Sequence, residues 1–418
     1  MYHQRTEEQL LERVKKDFAC IAIYGPRQCR KSTMVHRIFQ SGYHYVSLDD
    51  TEELLLAKNN PKLFLDNHPW PVVIDEIQKA PNLLSEIKVI IDKEKMKWVM
   101  EDKPHSLMYV LTGSNQYVLK NSISESLAGH VGIMELNSFS LAEKKGKSGS
   151  LFIPDIDIFR EKEGEGKYPS YTRNAIFDEI FEGGFPEYVL CHIDRETFFK
   201  SYLETYLTKD VRLLISGDSE TTFRNFLSYV ALRTGQEIAY DSLASAVGID
   251  VKTIKRWLSI LESSGLIAFL EPFMKSESNR IIKAPKLYFM DTGLAAYLCG
   301  WPSAAMLLKS AMAGAFFETF VVSELIKNHQ FHGKDYKNTL FYYRDIDKKE
   351  IDVIYYQNRR ITPIEIKKGI NPSKPNKNFK VLDKFHLPIQ TGFVIDCTDR
   401  IRPINEQVYT IPISLIEG

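Results

Sequence analysis

The chain has 418 residues, of which 54 are lysine or arginine and 54 are aspartate or glutamate, so its formal net charge at pH 7 is zero. This length is enough for roughly two to four domains with cores of their own. The balanced charge excludes a strong overall field for nucleic acid or membrane surfaces, so any such contact must come from a local patch. The apolar content of 44% is typical of a globular protein and excludes an intrinsically disordered one.

The cysteines and the N-terminus indicate the compartment. The cysteines are scattered and lack the spacing of metal ligands, which is typical of reduced thiols in a cytosolic protein. They are Cys20, Cys29, Cys191, Cys299 and Cys397. Residues 1–8 are polar and charged, unlike a secretory signal, and no apolar run approaches the roughly 18 residues that span a bilayer. We therefore expect a soluble, cytoplasmic protein without membrane contact.

The first predicted elements are a buried strand over residues 21–24, a loop, and a helix with apolar spacing over residues 34–39. The loop follows the phosphate-binding pattern G-x-x-x-x-G-K-[ST] at all but one position, and such loops cradle phosphate oxygens at a helix N-terminus. Lys31 is expected to reach the β- and γ-phosphates of a nucleotide, and the Ser32 hydroxyl to bind Mg²⁺. The expected nucleotide-binding residues of this segment are Gly25, Pro26, Arg27, Gln28, Cys29, Arg30, Lys31, Ser32 and Thr33.

Arg30 stands where this pattern has its second glycine. Glycine is used where the backbone approaches a ligand closely or takes a positive φ, and arginine adds a Cβ and a long side chain there. The guanidinium, however, is a good partner for phosphate. From the residues, weakened nucleotide binding, loss of binding, and a chance strand–turn–helix with basic residues are all open.

A second apolar run, residues 71–76, ends in Asp75 and Glu76 and predicts a buried parallel strand with carboxylates at its edge. After a phosphate loop, Asp75 is expected to support Mg²⁺ and Glu76 to activate the attacking water, so that Lys31 and Glu76 are the catalytic residues. A third apolar strand over residues 107–111 is followed by Ser114, a candidate γ-phosphate contact in the crevice at the strand ends. A solvated acidic pair and a plain turn are the alternatives.

These segments resemble the prokaryotic AAA-type ATPases, in particular the group whose C-terminal half is a domain of unknown function with a nuclease-like fold. The matching segments are residues 25–32, 73–78, 111–114, 126–131 and 181–187. The resemblance covers nearly the whole chain and implies ATP and Mg²⁺ as cofactors. Arg30 departs from the family glycine, and His130 departs from the arginine usual after Ala-Gly. If that arginine stabilises transition-state charge, His130 is a weaker, pH-dependent substitute.

The chain has recognisable divisions beyond the loop. Alternating strands and helices up to about residue 141 predict a parallel α/β sheet. Two polar stretches, residues 143–150 and 161–167, predict an exposed insertion, and aromatic residues at helical spacing over residues 197–214 predict a lid or connector helix. The predicted domains are residues 1–140 for the ATPase core, 141–215 for insertion and connector, 216–305 for a winged helix-turn-helix, and 306–418 for a nuclease-like domain.

The winged helix-turn-helix is predicted from helix signals followed by two strand patterns. A helix over residues 223–233 precedes a second helix capped by Asp241, a turn at Gly248, and a third helix that Gly265 closes in the left-handed conformation. The third helix begins with candidate DNA contacts. They are Lys252, Thr253, Lys255 and Arg256. Since winged helices also serve as packing modules, DNA contact is one of two alternatives.

The last predicted domain has the residue order of a PD-(D/E)xK nuclease: Glu318 on a helix, Asp352 on a strand, and Glu365 with Lys367 on another strand. Residues two apart in a strand share a face, so Glu365 and Lys367 point the same way. The resemblance implies a second metal site at Asp352 and Glu365, with Lys367 activating water or steadying the phosphate. The alternative is a charged solvent face on a half-buried sheet.

The sequence therefore predicts an α/β multidomain protein in which the parallel sheet of a P-loop NTPase is followed by a winged helix-turn-helix and a small α/β nuclease-like domain. We expect an ATP-binding AAA-type ATPase, weakened by Arg30, that couples its nucleotide state to the other domains. Two alternatives remain: a DNA- or protein-binding regulatory module with a decayed ATPase, and a metal-dependent DNA nuclease. DNA and a protein are the candidate macromolecular partners.

Overall fold

The computed structural model describes residues 2–113, 119, 123, 126–166, 168–207, 220–274, 284–370, 372 and 374–417. Within these ranges, three sheets follow one another along the chain, with five, three and six strands. In the same ranges, no helix combines the length and the apolar character needed to cross a bilayer.

The first sheet is parallel, with the strand order β2-β3-β4-β1-β5. Its strands are β1 (Cys20–Tyr24), β2 (His44–Ser47), β3 (Val72–Asp75), β4 (Tyr109–Gly113) and β5 (Val131–Glu135). Successive residues of β1 pack into two different cores, with Ile21 and Ile23 on one face and Ala22 and Tyr24 on the other. Burial on both faces explains why these strands are continuous apolar runs. The predicted parallel α/β sheet is confirmed, and the carboxyl ends of β1, β3 and β4 share one edge.

Local signals start and stop the helices beside this sheet. The helices are α1 (Glu7–Asp17), α2 (Lys31–Phe39), α3 (Thr51–Asn59), α4 (Pro61–Asn67) and α5 (Leu83–Met100). The Asp50 carboxylate accepts two backbone N–H groups at the start of α3, and the Asn60 side chain caps α4, whose first residue is Pro61. Proline suits the first helical position because the N–H it lacks would have no partner within the helix.

A helical region follows the parallel sheet. Its helices are α6 (Leu141–Lys144), α7 (Ile156–Gly164), α8 (Arg173–Glu182), α9 (Pro186–Cys191) and α10 (Arg195–Tyr206). The stretch at residues 161–167 is largely exposed in its described residues, as predicted, although residues 161–164 complete α7, which Phe159 anchors in the core. The prediction of an exposed stretch at residues 143–150 is wrong for Glu143, which is buried. The aromatic stripe of α10 is buried as predicted, whereas Leu213 and Leu214 lie outside the described residues.

The middle of the chain combines three helices with a small antiparallel sheet in the order β6-β8-β7. The elements are α11 (Glu220–Ala231), β6 (Gln236–Glu237), α12 (Tyr240–Val247), α13 (Val251–Ser263), β7 (Ile267–Leu270) and β8 (Lys286–Phe289). Gly265 has φ of 70° and closes α13 in the left-handed region as expected, and Gly248, at the predicted turn, closes α12 with φ of 79°. The predicted Asp241 cap is wrong: α12 begins at Tyr240, which places Asp241 inside its first turn.

The C-terminal part places a long helix against a mixed six-stranded sheet in the order β13-β14-β12-β11-β10-β9. Its helices are α14 (Thr292–Leu298), α15 (Ala304–Lys309) and α16 (Ala313–Phe331). Its strands are β9 (Leu340–Arg344), β10 (Glu350–Gln357), β11 (Arg360–Ile366), β12 (Gly392–Asp396), β13 (Arg402–Asn405) and β14 (Val408–Pro412). Strands β9, β10 and β11 are antiparallel, and β12 pairs in parallel with both β11 and β14.

One apolar core runs through all three parts of the molecule. It includes Ile21 of β1, Phe177 of α8, Trp257 of α13, Phe316 of α16 and Ile364 of β11. Helix α16 is buried on nearly every side, which is typical of a helix at the centre of a large core. This core takes residues from each of the four predicted domains, and the division into four domains remains a prediction.

Candidate functional site

The phosphate loop connects β1 to α2 at the carboxyl edge of the parallel sheet. Glycine is required at position 25 because a Cβ there would overlap the carbonyl group of Leu136. Arg30 has φ 59° and ψ 36°, which is the left-handed conformation for which the pattern uses glycine. A residue with a Cβ adopts this conformation at a cost of about 1–2 kcal/mol. The fold thus keeps the glycine backbone geometry with arginine in place.

The Arg30 side chain leaves the loop towards α9. Its Nε donates to Glu187 Oε2 at 3.0 Å, and an Nη atom lies 3.1 Å from Cys191 Sγ. Arg30 and Glu187 both line a cavity of about 310 Å³. The other lining residues are Arg27, Gln28, Lys31, Ser32, Thr33, Glu76, Tyr202 and Thr205. The replaced glycine therefore puts a guanidinium on the wall of the cavity next to the loop.

Lys31 is buried under the same loop. Its ammonium donates to the carbonyl oxygens of Gly25 at 2.7 Å and Pro26 at 2.8 Å. Burial lowers the pKa of Lys31 from its ordinary value, while Cys29 and Glu76 oppose that change. The two hydrogen bonds hold the ammonium at the loop, and Lys31 forms part of the cavity wall.

Ser32 and Asp75 are brought together from two different elements. The Ser32 hydroxyl donates to Asp75 Oδ2 at 3.2 Å, and the Tyr45 hydroxyl donates to the same oxygen at 2.6 Å. Thr112 donates to Asp75 Oδ1. A hydroxyl beside a buried carboxylate is an oxygen donor set that suits Mg²⁺, so the residues present fit the metal that accompanies a nucleotide. Tyr45 and Thr112 are contacts that the sequence analysis did not assign.

Glu76 lies at the end of β3 in the left-handed conformation, with φ 58°. This turn aims its carboxylate into the cavity, where the Gln78 amide donates to it. The space for Gln78 depends on Gly113, since a Cβ there would overlap the Gln78 side chain. Gln78 is a positioning residue for Glu76 that the sequence analysis quoted in its motif without giving it a role. Ser114, the predicted γ-phosphate contact, lies outside the described residues.

A buried arginine of the N-terminal segment, Arg5, contacts the loop. Arg5 is 3% exposed and donates to the carbonyl oxygen of Cys29 at 3.2 Å. Its Nε also donates to Glu143 Oε1 at 3.0 Å, and the same carboxylate accepts the backbone N–H of Thr6. Arg5 precedes the first helix and carried no pattern in the sequence, so only the tertiary contact reveals it.

His130 lies far from this cavity. It directly precedes β5, whose first residue pairs with Cys20 at the amino end of β1, whereas the loop follows the carboxyl end of β1. With a rise of about 3.3 Å per residue, the five residues of β1 separate the two ends by roughly 15 Å. The His130 ring instead faces Asp92 at 3.4 Å and Lys95 at 3.5 Å on α5. His130 therefore does not stabilise charge on a nucleotide in its own chain.

Family models match three parts of the chain. Residues 17–144 match an AAA domain. The chain carries an AAA-type P-loop ATPase domain. Residues 173–305 and 313–416 match two domains of unknown function, DUF8612 and DUF4143, respectively.

The chain is also similar to uncharacterized proteins of Mycobacterium tuberculosis and Mycobacterium bovis, each 24% identical over 356 residues, which are 84% of this chain and 71% of the relative. Among solved structures, a Walker-type ATPase of Pyrococcus abyssi is 14% identical, with 71% of this chain and 96% of that chain covered and a TM-score of 0.40. A signal transduction ATPase of Pyrococcus horikoshii with a tetratricopeptide repeat sensor is 13% identical, with 78% and 45% covered and a TM-score of 0.25.

Gly183 and Gly184 form a glycine joint that connects the ATPase domain to the start of α14. The N–H of Gly184 donates to Asp291 at 2.8 Å, and Asp291 also caps α14. The Gly184 carbonyl accepts the N–H of Phe139 at 2.7 Å. A Cβ at Gly183 would overlap the Asp291 side chain, so the backbone approach requires glycine. Glu187, the partner of Arg30, lies three residues after this joint.

Helix α16 joins the ATPase domain to the C-terminal sheet. Glu324 accepts the N–H of Leu141 at 2.8 Å and pairs with Lys327 at 3.0 Å, while Lys327 donates to the carbonyl of Phe139 at 3.1 Å. The pair is nearly fully buried. The same helix carries Glu318 near its start. One helix therefore contacts both the ATPase domain and the acidic residues of the last sheet.

The four residues predicted as a nuclease site come together. The N–H of Ile366 donates to Asp352 at 2.7 Å, and the Lys367 ammonium lies 3.6 Å from Asp352 and 2.5 Å from Glu365. A register shift between Ile351 and Ile354 in the pairing of β10 with β9 falls next to Asp352. Such irregularities commonly redirect a side chain beside a functional site.

Three residues of this acidic cluster were missed by the sequence analysis. Glu350 contributes a carboxylate, and oxygen atoms of Glu318, Glu350 and Asp352 lie within 4.8 Å of one another. Lys286 donates to Glu318 Oε1 at 2.8 Å and to Glu350, and Tyr288 donates to Glu318 Oε1 at 2.7 Å. Lys286 and Tyr288 come from β8, in the middle part, so no pattern in the last domain could indicate them.

Two carboxyl groups of the cluster have strongly raised pKa values. Burial, with a contribution from Asp352, raises the pKa of Glu318 to about 7, although Lys286 opposes the rise. Burial and Asp352 raise the pKa of Glu365 to about 8, against the effect of Lys367. Crowded carboxylates resist ionising together unless a cation neutralises them.

The basic residues of α13 are arranged on its outer side. Lys252, Lys255 and Arg256 are exposed. Thr253 is engaged at the start of the helix, where its backbone N–H and its hydroxyl donate to Asp250 at 2.9 and 2.7 Å. Of the four predicted DNA contacts, three thus form a basic surface and Thr253 serves the cap.

Proposed function

We propose that the ATPase domain binds ATP with Mg²⁺ in the cavity at the phosphate loop and passes its nucleotide state to the rest of the chain. The observation that carries this proposal is the convergence of Lys31, Ser32, Asp75 and Glu76, from two separate segments, at one edge of the parallel sheet. Their match to the AAA domain supports it. Ligands of open α/β sheets bind at this edge.

The roles follow from the side chains. The Lys31 ammonium contacts the β- and γ-phosphates when it leaves the carbonyls of Gly25 and Pro26. The Ser32 hydroxyl and the Asp75 carboxylate would hold Mg²⁺, and the bound ion would neutralise negative charge on the phosphates. Glu76, positioned by Gln78, accepts a proton from the attacking water.

Arg30 couples the nucleotide state of this site to the neighbouring helices, because it contacts Glu187 of α9. A phosphate and the Glu187 carboxylate compete for the same guanidinium, since both accept charge-assisted hydrogen bonds. When Arg30 turns to phosphate, α9 loses its contact with the loop, and the glycine joint carries the change to Asp291 at the start of α14. Arg30 weakens nucleotide binding through this competition and does not abolish it.

Hydrogen–deuterium exchange of the full chain with and without ATP and Mg²⁺ tests this coupling. We expect changed protection in residues 25–33, and also in residues 183–191 and 291–298. Lys31→Ala is the control, because it removes the phosphate contact and leaves Arg30 and Glu187 in place. A change restricted to the loop in wild type would contradict the coupling.

A second candidate function, DNA binding, is favoured by the exposed basic surface of α13. We infer that residues 220–289 form a winged helix-turn-helix; the order of α11, β6, α12, α13, β7 and β8 supports this assignment. Lys252, Lys255 and Arg256 contact phosphates or base edges with the first turns of α13. In the competing version, this module binds DNA or a protein regardless of the nucleotide.

For the last sheet, we infer a PD-(D/E)xK fold with a metal-binding acidic cluster. Asp352 and Glu365 on adjacent strands, with Glu318 from α16 and Lys367 beside them, support this assignment. A fold of this kind retains nuclease activity only where a divalent cation reaches the carboxylates. The assay is cleavage of plasmid and single-stranded DNA with Mn²⁺ by wild type, Asp352→Asn and Lys367→Ala.

A further inference from the structure

Lys286 is a buried cation inside the acidic cluster. It is 2% exposed, and its ammonium contacts both Glu318, at 2.8 Å, and Glu350. Its backbone is fixed on both sides, because β8 is the middle strand of its sheet and Lys286 pairs with Glu237 and Leu270. The side chain thus projects from a rigid strand of one module into the carboxylates of another.

The carboxylates themselves form a set that suits a hard divalent cation. Oxygen atoms of Glu318, Glu350 and Asp352 lie within 4.8 Å of one another. Mg²⁺ and Mn²⁺ are bound by such oxygen ligands. A second observation concerns Glu365, which is 6% exposed and whose Oε2 has no hydrogen-bond partner among the described residues. A buried carboxylate oxygen without a partner is costly and indicates a missing ligand contact.

We propose that Glu318, Glu350 and Asp352 form a divalent-cation site that Lys286 keeps closed, its ammonium standing where the metal binds. An ammonium and a divalent cation repel each other, so the two cannot share these three carboxylates at contact distance. The metal enters when the Lys286 side chain withdraws. The inference rests on the nuclease-like part of the proposed function and is independent of the phosphate loop, so its failure leaves ATP binding untouched.

The contacts around Lys286 show what would withdraw it. Tyr288, two residues along the same strand, donates to Glu318, and Tyr342 of β9 donates to Glu237 of β6 at 3.0 Å. Arg344 of β9 also pairs with Glu237, at 2.9 Å. These contacts hold the small middle sheet against α16 and β9. A partner that draws this sheet away from α16 therefore removes Lys286 from the cluster.

Titration calorimetry with Mn²⁺ on the full chain, without nucleotide, tests the proposal. Lys286→Met removes the ammonium and keeps an unbranched side chain of similar length. We expect it to bind Mn²⁺ at least tenfold more tightly than wild type. The double variant Lys286→Met, Asp352→Asn should lose this gain. Lys337→Met is the matched control, because Lys337 also pairs with a glutamate of the middle part, Glu262 at 2.7 Å, away from the cluster.

Folding is checked in the same samples by circular dichroism and thermal melting. If Lys286→Met proves unstable without metal, Lys286→Gln keeps a hydrogen-bond donor for Glu318 and removes the charge, and it should show the same gain in Mn²⁺ affinity. If Mn²⁺ restores the thermal stability of either single variant but not that of the Asp352→Asn double variant, the result supports a cation site that Lys286 keeps closed. Equal Mn²⁺ affinity in wild type and Lys286→Met, or no binding by any variant, would overturn it.

Discussion

Arg30 of the phosphate loop donates to Glu187 of α9 at 3.0 Å, so the residue that replaces a glycine of the loop pattern connects the loop to a neighbouring helix. Both side chains are partly exposed, at 24% and 40%. Such an exposed pair contributes little to stability, typically below about 1 kcal/mol. Its importance lies in its position, because it stands on the wall of the cavity beside Lys31.

Glu187→Gln should raise the affinity for ATP about three- to tenfold. The change removes the carboxylate that competes with phosphate for Arg30, and it removes a negative charge from the cavity wall. Titration with a fluorescent ATP analogue measures the effect. Glu196→Gln, on neighbouring α10, is the control for removal of one carboxylate near but outside the cavity. Weaker binding by Glu187→Gln would show that Glu187 assists the nucleotide.

Lys327→Met should lower the free energy of unfolding by about 3 kcal/mol or more, because it leaves Glu324 buried without its cationic partner. The change should also weaken the contact between α16 and the ATPase domain, because Lys327 and Glu324 hydrogen-bond to the backbone of residues 139–141. Chemical denaturation measures it. Lys15→Met breaks an exposed pair with Glu12 and should change stability by less than about 0.5 kcal/mol. Equal effects of the two variants would contradict a structural role for the buried pair.

The buried side chain of His329 should make the folded protein less stable in acid. Burial lowers the pKa of His329 below its ordinary value, and its Nε2 has no hydrogen-bond partner within the described part of the chain. Below the ordinary value of 6.5, the unfolded chain takes up a proton that the folded chain resists, so stability present above that pH falls as the pH drops through it. His329→Phe should flatten the dependence of unfolding free energy on pH between about 6.5 and 5. If the dependence of unfolding free energy on pH is the same in His329→Phe and wild type, other groups cause the acid sensitivity.

Charge reversal of the basic surface on α13 tests the DNA candidate. Lys252→Glu, Lys255→Glu and Arg256→Glu together should abolish binding to duplex DNA in a gel shift. Wild-type affinity should fall steeply with salt, and three phosphate contacts account for about 2.7 of the logarithmic salt slope. Reversal of three exposed lysines of the ATPase domain, Lys58, Lys62 and Lys88, is the control of equal charge. DNA binding that survives the first triple variant would exclude α13 as the contact.

The phosphate loop and the parallel sheet were predictable from sequence because their determinants are local. Apolar runs specify buried strands, and the spacing of Gly25, Lys31 and Ser32 specifies the loop. The acidic residues at the end of β3 follow from the same logic. The helical conformation of residues 161–164 was not predicted, because Phe159 anchors a helix whose other side is charged, a tertiary contact that composition cannot show.

The contacts that join the parts of the molecule were not predictable. Lys286 reaches Glu350 and Glu318 across two modules, and Arg5 reaches Cys29 from the N-terminal segment. Lys286 begins a predicted strand but belongs to no recognised functional motif, and Arg5 belongs to neither a predicted element nor a motif. Their positions depend on packing between elements that are distant in sequence, which local propensity does not encode.

Calorimetric titration of ATP with Mg²⁺ into wild type, Arg30→Gly and Lys31→Ala tests the central claim most directly. We predict that wild type binds, and that Arg30→Gly binds more tightly because the long side chain no longer occupies the cavity wall. We also predict that Lys31→Ala loses at least tenfold in affinity. Failure of both wild type and Arg30→Gly to bind ATP with Mg²⁺ would contradict the account.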